Sequence, residues 1–356
     1  MRIALVASLV SPIRAAAANG PHAVILDLAR GLTGLGHAAT VYAAAGSEAD
    51  GVELREIPVE PIVQEATVRP GGQPSAGATT ALNRGFARLF EQIRRDRPEV
   101  VSQHAFDAAA IELAGDLPVL HTLHLPPIVP DVVAAARATR APLATVSEAA
   151  RVTWRAAAVR DVALLRNGVP DHEPVGGAVV PVALIAGRIS PEKGTAIAIR
   201  VARRAGLAVL VVGDAYDAGY FASEVEPLLR PGEWIGAAPR WEVFELMARC
   251  AVLLMPIEWE EAFGLVAAEA QMAGCPVVAY RRGALPEVVP HRVGGWLVEP
   301  GDEEALVGAV YRARGLDRAR IRARAMRELG VRRMVDAYHE ALLHVAAHEP
   351  LVARAS

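Results

Sequence analysis

Short apolar runs of four to six residues recur along the chain, and each is followed by a stretch whose apolar residues fall at helical spacing. That alternation predicts parallel β-α-β units with helices on both faces of each sheet. The candidate strands are 2–7, 38–43, 52–57, 99–103, 118–122 and 143–146 in the first half, then 182–186, 207–212, 251–255, 276–279 and 295–298 in the second. Residues 167–177, rich in glycine and proline and poor in periodicity, read as an interdomain linker. Residues 60–77, carrying Pro61, Pro70, Gly71, Gly72 and Pro74, read as a second irregular segment, of the kind that lines binding clefts. From Val331 the pattern returns to helical spacing. The predicted division is therefore a domain over 1–168, a second over 169–330, and a closing helix within 331–356 that packs back across the first domain.

Length supports that division, because 356 residues exceed what one core ordinarily organises. An apolar content of 53% with a net charge of -3 describes a soluble globular chain. Its basic residues are scattered and offset by acids, which argues against a nucleic-acid partner. Cys250 and Cys275 make neither a disulfide framework nor a zinc site, so a reducing cytoplasm is expected. The stretch from Met1 to Ala7 reads as a first buried strand, since its apolar run is too short for a signal peptide.

The chemistry begins with Lys193, the only lysine, since every other residue counted as Lys or Arg is arginine. An ammonium retained where guanidinium is otherwise universal points to a place that needs a compact point charge. Around it, an apolar strand runs into Gly187-Arg188-Ile-Ser-Pro-Glu-Lys193-Gly194 and then a helix, an arrangement suited to phosphate oxygens. A second strand-to-helix turn holds Trp259-Glu-Glu261-Ala262-Phe263-Gly264-Leu265-Val266, with Glu269 eight positions beyond Glu261. The amides of Phe263 to Val266 form a donor nest at a helix start, suited to a diphosphate or sugar hydroxyls. Glu269 lies in an apolar helix where a carboxylate needs a partner, and the two hydroxyls of a ribose would supply one. A solvated acidic turn over Glu258, Glu260 and Glu261 is the competing reading.

These residues, with Ala273-Gly274, Pro276, Gly283, Pro286-Glu-Val-Val and Gly295-Trp-Leu-Val-Glu-Pro-Gly-Asp302, resemble in order and spacing the retaining family 4 glycosyltransferases (glycosyl transferases group 1). The bacterial members, including those of antibiotic and polysaccharide pathways, are the nearest in pattern. The first half is similar more loosely, through Asn19-Gly20, Leu35-Gly36-His37, His121-Thr-Leu-His124, Ser147 and Asn167-Gly168. The resemblance implies an α/β GT-B fold: two Rossmann-like domains facing a central cleft, the first binding the acceptor and the second the donor. It implies a hexosyltransferase-type enzyme that moves a sugar from a UDP-, GDP- or ADP-linked donor to a small-molecule, glycan or lipid-linked hydroxyl acceptor. The nucleotide diphosphate sugar is a co-substrate; no cofactor and no metal are implied, and no Asp-x-Asp pair is present.

By the same resemblance, Arg188 and Lys193 neutralise the diphosphate, Glu269 holds the ribose, and Glu261 with the amides of Ala262 to Leu265 orients the sugar. His124 reaches the transferring sugar or a phosphate oxygen. Gly187 and Gly20 allow close backbone approach, and the base is read by backbone near Gly236. Acceptor-side candidates are Asn19, His22, His104 and His121, although where the family usually has two glycines and a glutamate two positions later this loop reads Asn19-Gly20-Pro21-His22, with His22 in the glutamate's place. His104 and His121 have a structural reading as well. Trp241 and Trp259 are candidates for stacking on a base or sugar, or for ordinary packing. Arg84, Arg88, Arg94, Arg95 and Arg97 form a basic face opposite Leu82, Phe86, Leu89, Phe90 and Ile93, read as a solvated face with membrane docking as the alternative. A non-catalytic nucleotide-sugar-binding protein and a GT-B epimerase are the remaining alternatives. A nicotinamide dehydrogenase is disfavoured because no G-x-G-x-x-G follows a strand. The base, the sugar, the acceptor and the oligomeric state are not written in the sequence.

Overall fold

Apolar runs flanked by turns become strands because both faces of each sheet are covered, so residues that alternate up and down are buried alike. The computed structural model describes residues 1–14, 20–67, 75–174 and 177–349. Its chain divides into two units, one formed by Met1–Asn167 with the stretch from Val331 on, the other by Gly168–Gly330.

The N-terminal unit holds β1 (Arg2–Val6), β2 (Ala38–Ala44), β3 (Glu53–Ile57), β4 (Val100–Gln103), β5 (Val119–Leu123), β6 (Leu143–Thr145) and β7 (Val162–Leu164). They form one sheet in the order β3-β2-β1-β4-β5-β6-β7, every neighbouring pair parallel. Strand order reverses between β1 and β4, and residues that follow those strands are where ligands bind in open parallel sheets. The core on one face includes Phe86, Leu89, Phe90 and Ile93 from the helix Ala76–Asp96. That helix starts where Ser75 Oγ accepts from the Ala78 amide at 3.2 Å. Its basic residues are engaged within the protein: Arg84 with Glu60, Arg88 with the Pro58 carbonyl, Arg94 with the Leu113 carbonyl and Arg95 with Glu91. The helix Val331–Ala346 packs on the helix Gly20–Gly34 and on β4 and β5 of the same unit.

The C-terminal unit holds β8 (Val180–Ala186), β9 (Ala208–Val212), β10 (Cys250–Met255), β11 (Val277–Tyr280) and β12 (Gly295–Val298). Its sheet runs β12-β11-β10-β8-β9, again wholly parallel, with the reversal between β8 and β10. Ile185, Ile199, Val211, Leu254 and Val310 belong to its core. Cys250 and Cys275 are buried free thiols, their ionisation pushed up to about 12 and about 11, by burial first.

Each predicted strand is present, with ends displaced by one or two residues. The pattern missed β7, a three-residue edge strand too short to show any period. Part of the segment read as irregular over 60–77 is ordered: Pro61–Ala66 forms a 3-10 helix, and residues 68–74 lie outside the described residues. Part of the proposed linker is also fixed, since the Val169 amide donates to Leu329 at 2.8 Å and Asp171 pairs with Arg322 at 2.7 Å. None of the described helices is long and apolar enough to cross a membrane.

Candidate functional site

In the C-terminal unit the turns after β8 and β10 meet at the strand-order reversal. Three glycines let these turns, and those after β9 and β11, approach one another. A Cβ on Gly213 would lie 1.9 Å from the Gly187 carbonyl, one on Gly194 2.1 Å from the Pro256 carbonyl, and one on Gly283 2.4 Å from the Glu261 amide nitrogen. Both Gly187 and Gly213 have positive φ, which a side chain would strain. Gly236 continues this row, its carbonyl accepting from the Gly213 amide at 2.8 Å.

Lys193 Nζ lies 2.7 Å from Glu261 Oε2, and the same oxygen accepts from Trp259 Nε1 at 3.0 Å. The ammonium also sits 5.0 Å from the centre of the Trp259 ring. Trp259 therefore braces the ion pair. Burial pushes the Glu261 carboxyl up, but Lys193, then Trp259 and the Arg188 charge, outweigh it and hold the group below its ordinary value. Arg188 lies over the Tyr216 ring at 4.5 Å, with Glu192 Oε1 3.3 Å from its Nη2, and Ser190 Oγ donates to the same Glu192 oxygen at 2.8 Å. So Arg188 and Lys193 come together with Glu192 and Glu261, two cations at the same turn, each paired with a carboxylate.

Glu260 is not a freely solvated acid, because Oε2 accepts from the Gly283 amide at 2.8 Å and Oε1 pairs with Arg282. Gly264, at φ 86°, opens the helix Leu265–Met272. Ala262 and Phe263 are buried, while Leu265 and Val266 are half-buried in its first turn, whose amides lack intrahelical acceptors by construction. Glu269 is buried, and the argument that it needs a ligand to satisfy it is overturned: Arg240 Nε donates to its Oε1 at 2.6 Å. Arg240 opens the helix Arg240–Arg249, and no local pattern links two positions 29 residues apart. Trp241 beside it is largely exposed.

The N-terminal unit presents a different set. His124, following β5, accepts or donates through Nε2 to His104 Nδ1 at 2.8 Å, and His104 Nε2 lies 2.8 Å from Ser102 Oγ at the end of β4. His104 stacks on His124 and on Tyr338, with ring centres 5.1 and 5.6 Å apart. Tyr338, from the helix Val331–Ala346, donates to Thr122 Oγ1 at 3.2 Å. His121 Nδ1 lies 3.3 Å from Gln103 Oε1 on the neighbouring strand. Burial lowers His22, His121 and His124 to about 4 and His104 well below its ordinary value, so all four rings are neutral at pH 7. It pushes the Asp107 carboxyl up to about 7. Gly20 opens the helix Gly20–Gly34, in which His22 is buried; Asn19 lies outside the described residues. Ser102, Gln103 and Tyr338 were not singled out from sequence, and only Ser102-Gln103-His104, polar residues at the end of an apolar strand, gave a local sign.

Two family models match the chain: Glycosyltransferase Family 4 over residues 18–173 and Glycosyl transferases group 1 over 179–325. The D-inositol 3-phosphate glycosyltransferase of Streptomyces griseus is 33% identical over 169 residues, which is 43% of this chain and 34% of that protein. The chain thus spans about a third of the length of the curated relatives it matches. Among solved structures, AviGT4, a glycosyltransferase involved in avilamycin A biosynthesis, aligns with a TM-score of 0.71 at 23% identity over 98% of this chain and 99% of its own. Anabaena HepE in complex with UDP-glucose aligns with a TM-score of 0.72 at 19% identity over 96% and 99%. Such identities establish a shared GT-B fold, in agreement with the two parallel α/β sheets. With models matched in succession along both units, the chain belongs to the family 4, group 1 glycosyltransferases.

Proposed function

We propose that the protein is a retaining, metal-independent glycosyltransferase that moves a sugar from a nucleotide diphosphate sugar to a hydroxyl acceptor. The observation that carries this reading is the placement of Lys193 and Arg188 around Glu261 at the strand-order reversal, on the loop that leads into the helix Leu265–Met272. Two cations and a helix N-terminus stabilise a diphosphate as charge develops on it, which is the work a divalent ion does elsewhere. Lys193 exchanges its Glu261 partner for a phosphate oxygen, and the freed Glu261 accepts from a hydroxyl of the donor sugar. Glu269, held by Arg240, accepts from the ribose.

Retention follows from front-side, oxocarbenium-like substitution: the glycosyl–phosphate bond breaks, and a departing phosphate oxygen takes the proton of the attacking hydroxyl. Catalysis then rests on leaving-group stabilisation and positioning. His124, in the N-terminal unit with the acceptor-side groups His22 and His121, serves the transferring sugar; His104, whose two ring nitrogens are taken up by Ser102 and His124, has none left for the acceptor. The acceptor is a small molecule, a glycan or a lipid-linked hydroxyl. UDP is the first nucleotide to try, because HepE binds UDP-glucose.

Thermal stabilisation by UDP, GDP, ADP and TDP, each at the same excess, tests the reading on the wild type and on Lys193→Ala. One nucleotide should stabilise the wild type by about 2.7 kcal/mol near a hundredfold excess over its dissociation constant, and the variant should lose most of that. Equal responses in both proteins, or none in the wild type, would sink the phosphate site.

A further inference from the structure

The histidine cluster of the N-terminal unit contains a proton assignment that its hydrogen bonds decide. Ser102, His104 and His124 are all buried and joined in series, Oγ to Nε2 and Nδ1 to Nε2, at 2.8 Å each. Burial keeps both rings neutral. Each ring therefore carries one N–H, and a single proton lies between them.

Two arrangements satisfy that condition. In the first, Ser102 donates to His104 Nε2, His104 donates from Nδ1–H to His124 Nε2, and the His124 proton is on Nδ1. In the second, every direction is reversed: His124 donates from Nε2–H, His104 donates from Nε2–H to Ser102, and the Ser102 hydroxyl proton must find another acceptor. Among the described residues Ser102 Oγ makes no hydrogen bond other than the one to His104. A fully buried hydroxyl with no acceptor is destabilising, and only the first arrangement avoids it.

We propose that Ser102 and His104 are positioning residues that hold His124 in its Nδ1–H tautomer, so that the ring nitrogen outside the series is a hydrogen-bond donor. Tyr338 fixes the plane of His104 by stacking on it and is itself anchored on Thr122. The use of such a donor rests on the glycosyl-transfer reading: N–H is attracted to a phosphate or sugar oxygen, whereas a bare ring nitrogen is repelled by a phosphate oxygen. The tautomer itself does not depend on that reading.

Long-range proton–nitrogen NMR of imidazole-labelled, ligand-free full-length protein measures it, with His124 assigned by its disappearance in His124→Gln. The expected spectrum shows protonated Nδ1 and unprotonated Nε2 on both His104 and His124. A protonated His124 Nε2 overturns the proposal; if His124→Gln fails to fold, through-space contacts between the His124 and His104 rings and the Tyr338 ring identify the His124 signals in the wild-type spectrum, which then decides. Ser102→Ala removes the donor that sets the direction, so the second tautomer should become populated at His124. His104→Asn keeps an amide N–H near the former Nδ1 and should preserve the His124 assignment; His104→Leu should release His124 to the Nε2–H form that predominates in free histidine. An unchanged His124 in His104→Leu also overturns the role of His104. If the tautomer is as expected and UDP-glucose and the other nucleotide sugars neither bind nor turn over, the functional reading fails and the series stands. The reversed tautomer in a protein that does turn over a nucleotide sugar removes the series alone.

Discussion

The two units solve the problem of a buried polar cluster in opposite ways. At the β8/β10 reversal the C-terminal unit keeps charges and pairs them: Lys193 with Glu261, Arg188 with Glu192, Arg240 with Glu269. At the ends of β4 and β5 the N-terminal unit keeps no charge among its histidines and links neutral rings by hydrogen bonds. Exposure follows the same division, since the Arg188 side chain is 39% exposed whereas His104 is 2% exposed. A paired ion can change partner when a phosphate arrives, because one favourable interaction replaces another of the same kind. A neutral buried series is worth most when it does not change, because its function is geometry. The proposed anion site thus rests on exchangeable ion pairs, and the proposed orientation of His124 on a fixed neutral series.

Acid should break the N-terminal set first. His22, His121 and His124 titrate at about 4 in the folded protein and at about 6.5 unfolded, so the unfolded chain takes up more protons between those values. Stability should therefore rise with pH from about 4 to about 6.5, each ring adding at most about 1.4 kcal/mol per pH unit. Asp107, titrating at about 7, opposes this, because the folded protein holds its proton longer than the unfolded chain does. The net expectation from pH 7 to pH 5 is a loss on the order of 3 kcal/mol, read as a falling urea midpoint. A midpoint that is flat across that range would show the rings to be more hydrated than their burial implies.

Removing one member of the buried C-terminal pair comes next. Arg240→Ala leaves the Glu269 carboxylate buried beside a missing cation, and should cost about 3 kcal/mol in chemical denaturation. Adding Glu269→Gln should recover most of that, since the uncompensated charge is then gone. If the double variant is no more stable than the single one, the loss comes from packing of the Arg240 stem instead.

The smallest effect on stability is expected at Arg188. Its ion pair is solvent-screened, so Arg188→Ala should change unfolding free energy by less than about 0.5 kcal/mol. Nucleotide-dependent stabilisation should nevertheless fall sharply, measured as the difference in melting temperature with and without UDP. A variant that loses stability but keeps its nucleotide response would place Arg188 among the structural arginines.

Much of this was legible before any coordinates. The strands of both sheets showed as apolar runs, and the lone Lys193 in the glycine-bearing turn after β8 showed as a retained point charge, though its partner Glu261 did not. The missed strand β7 had three residues, fewer than a period needs to repeat convincingly. Glu269 was legible as a carboxylate in an apolar helix, but not as one already partnered. The histidines were visible one by one, though their connection through Ser102, Gln103 and Tyr338 was not.

The division has a physical origin. Periodicity, turn residues and the identity of a side chain are local, so the sequence by itself determined the alternation of strand and helix, the two Rossmann-like sheets and the cationic turn after β8. Which charges meet is a property of packing between distant elements: Lys193 and Glu261 are 68 residues apart, and Tyr338 and Thr122 are 216 apart. Only the tertiary structure decided that Arg240 neutralises Glu269 and that a buried serine directs the proton between two histidines, because burial sets the cost of leaving each group alone and neighbours from other elements decide how that cost is met.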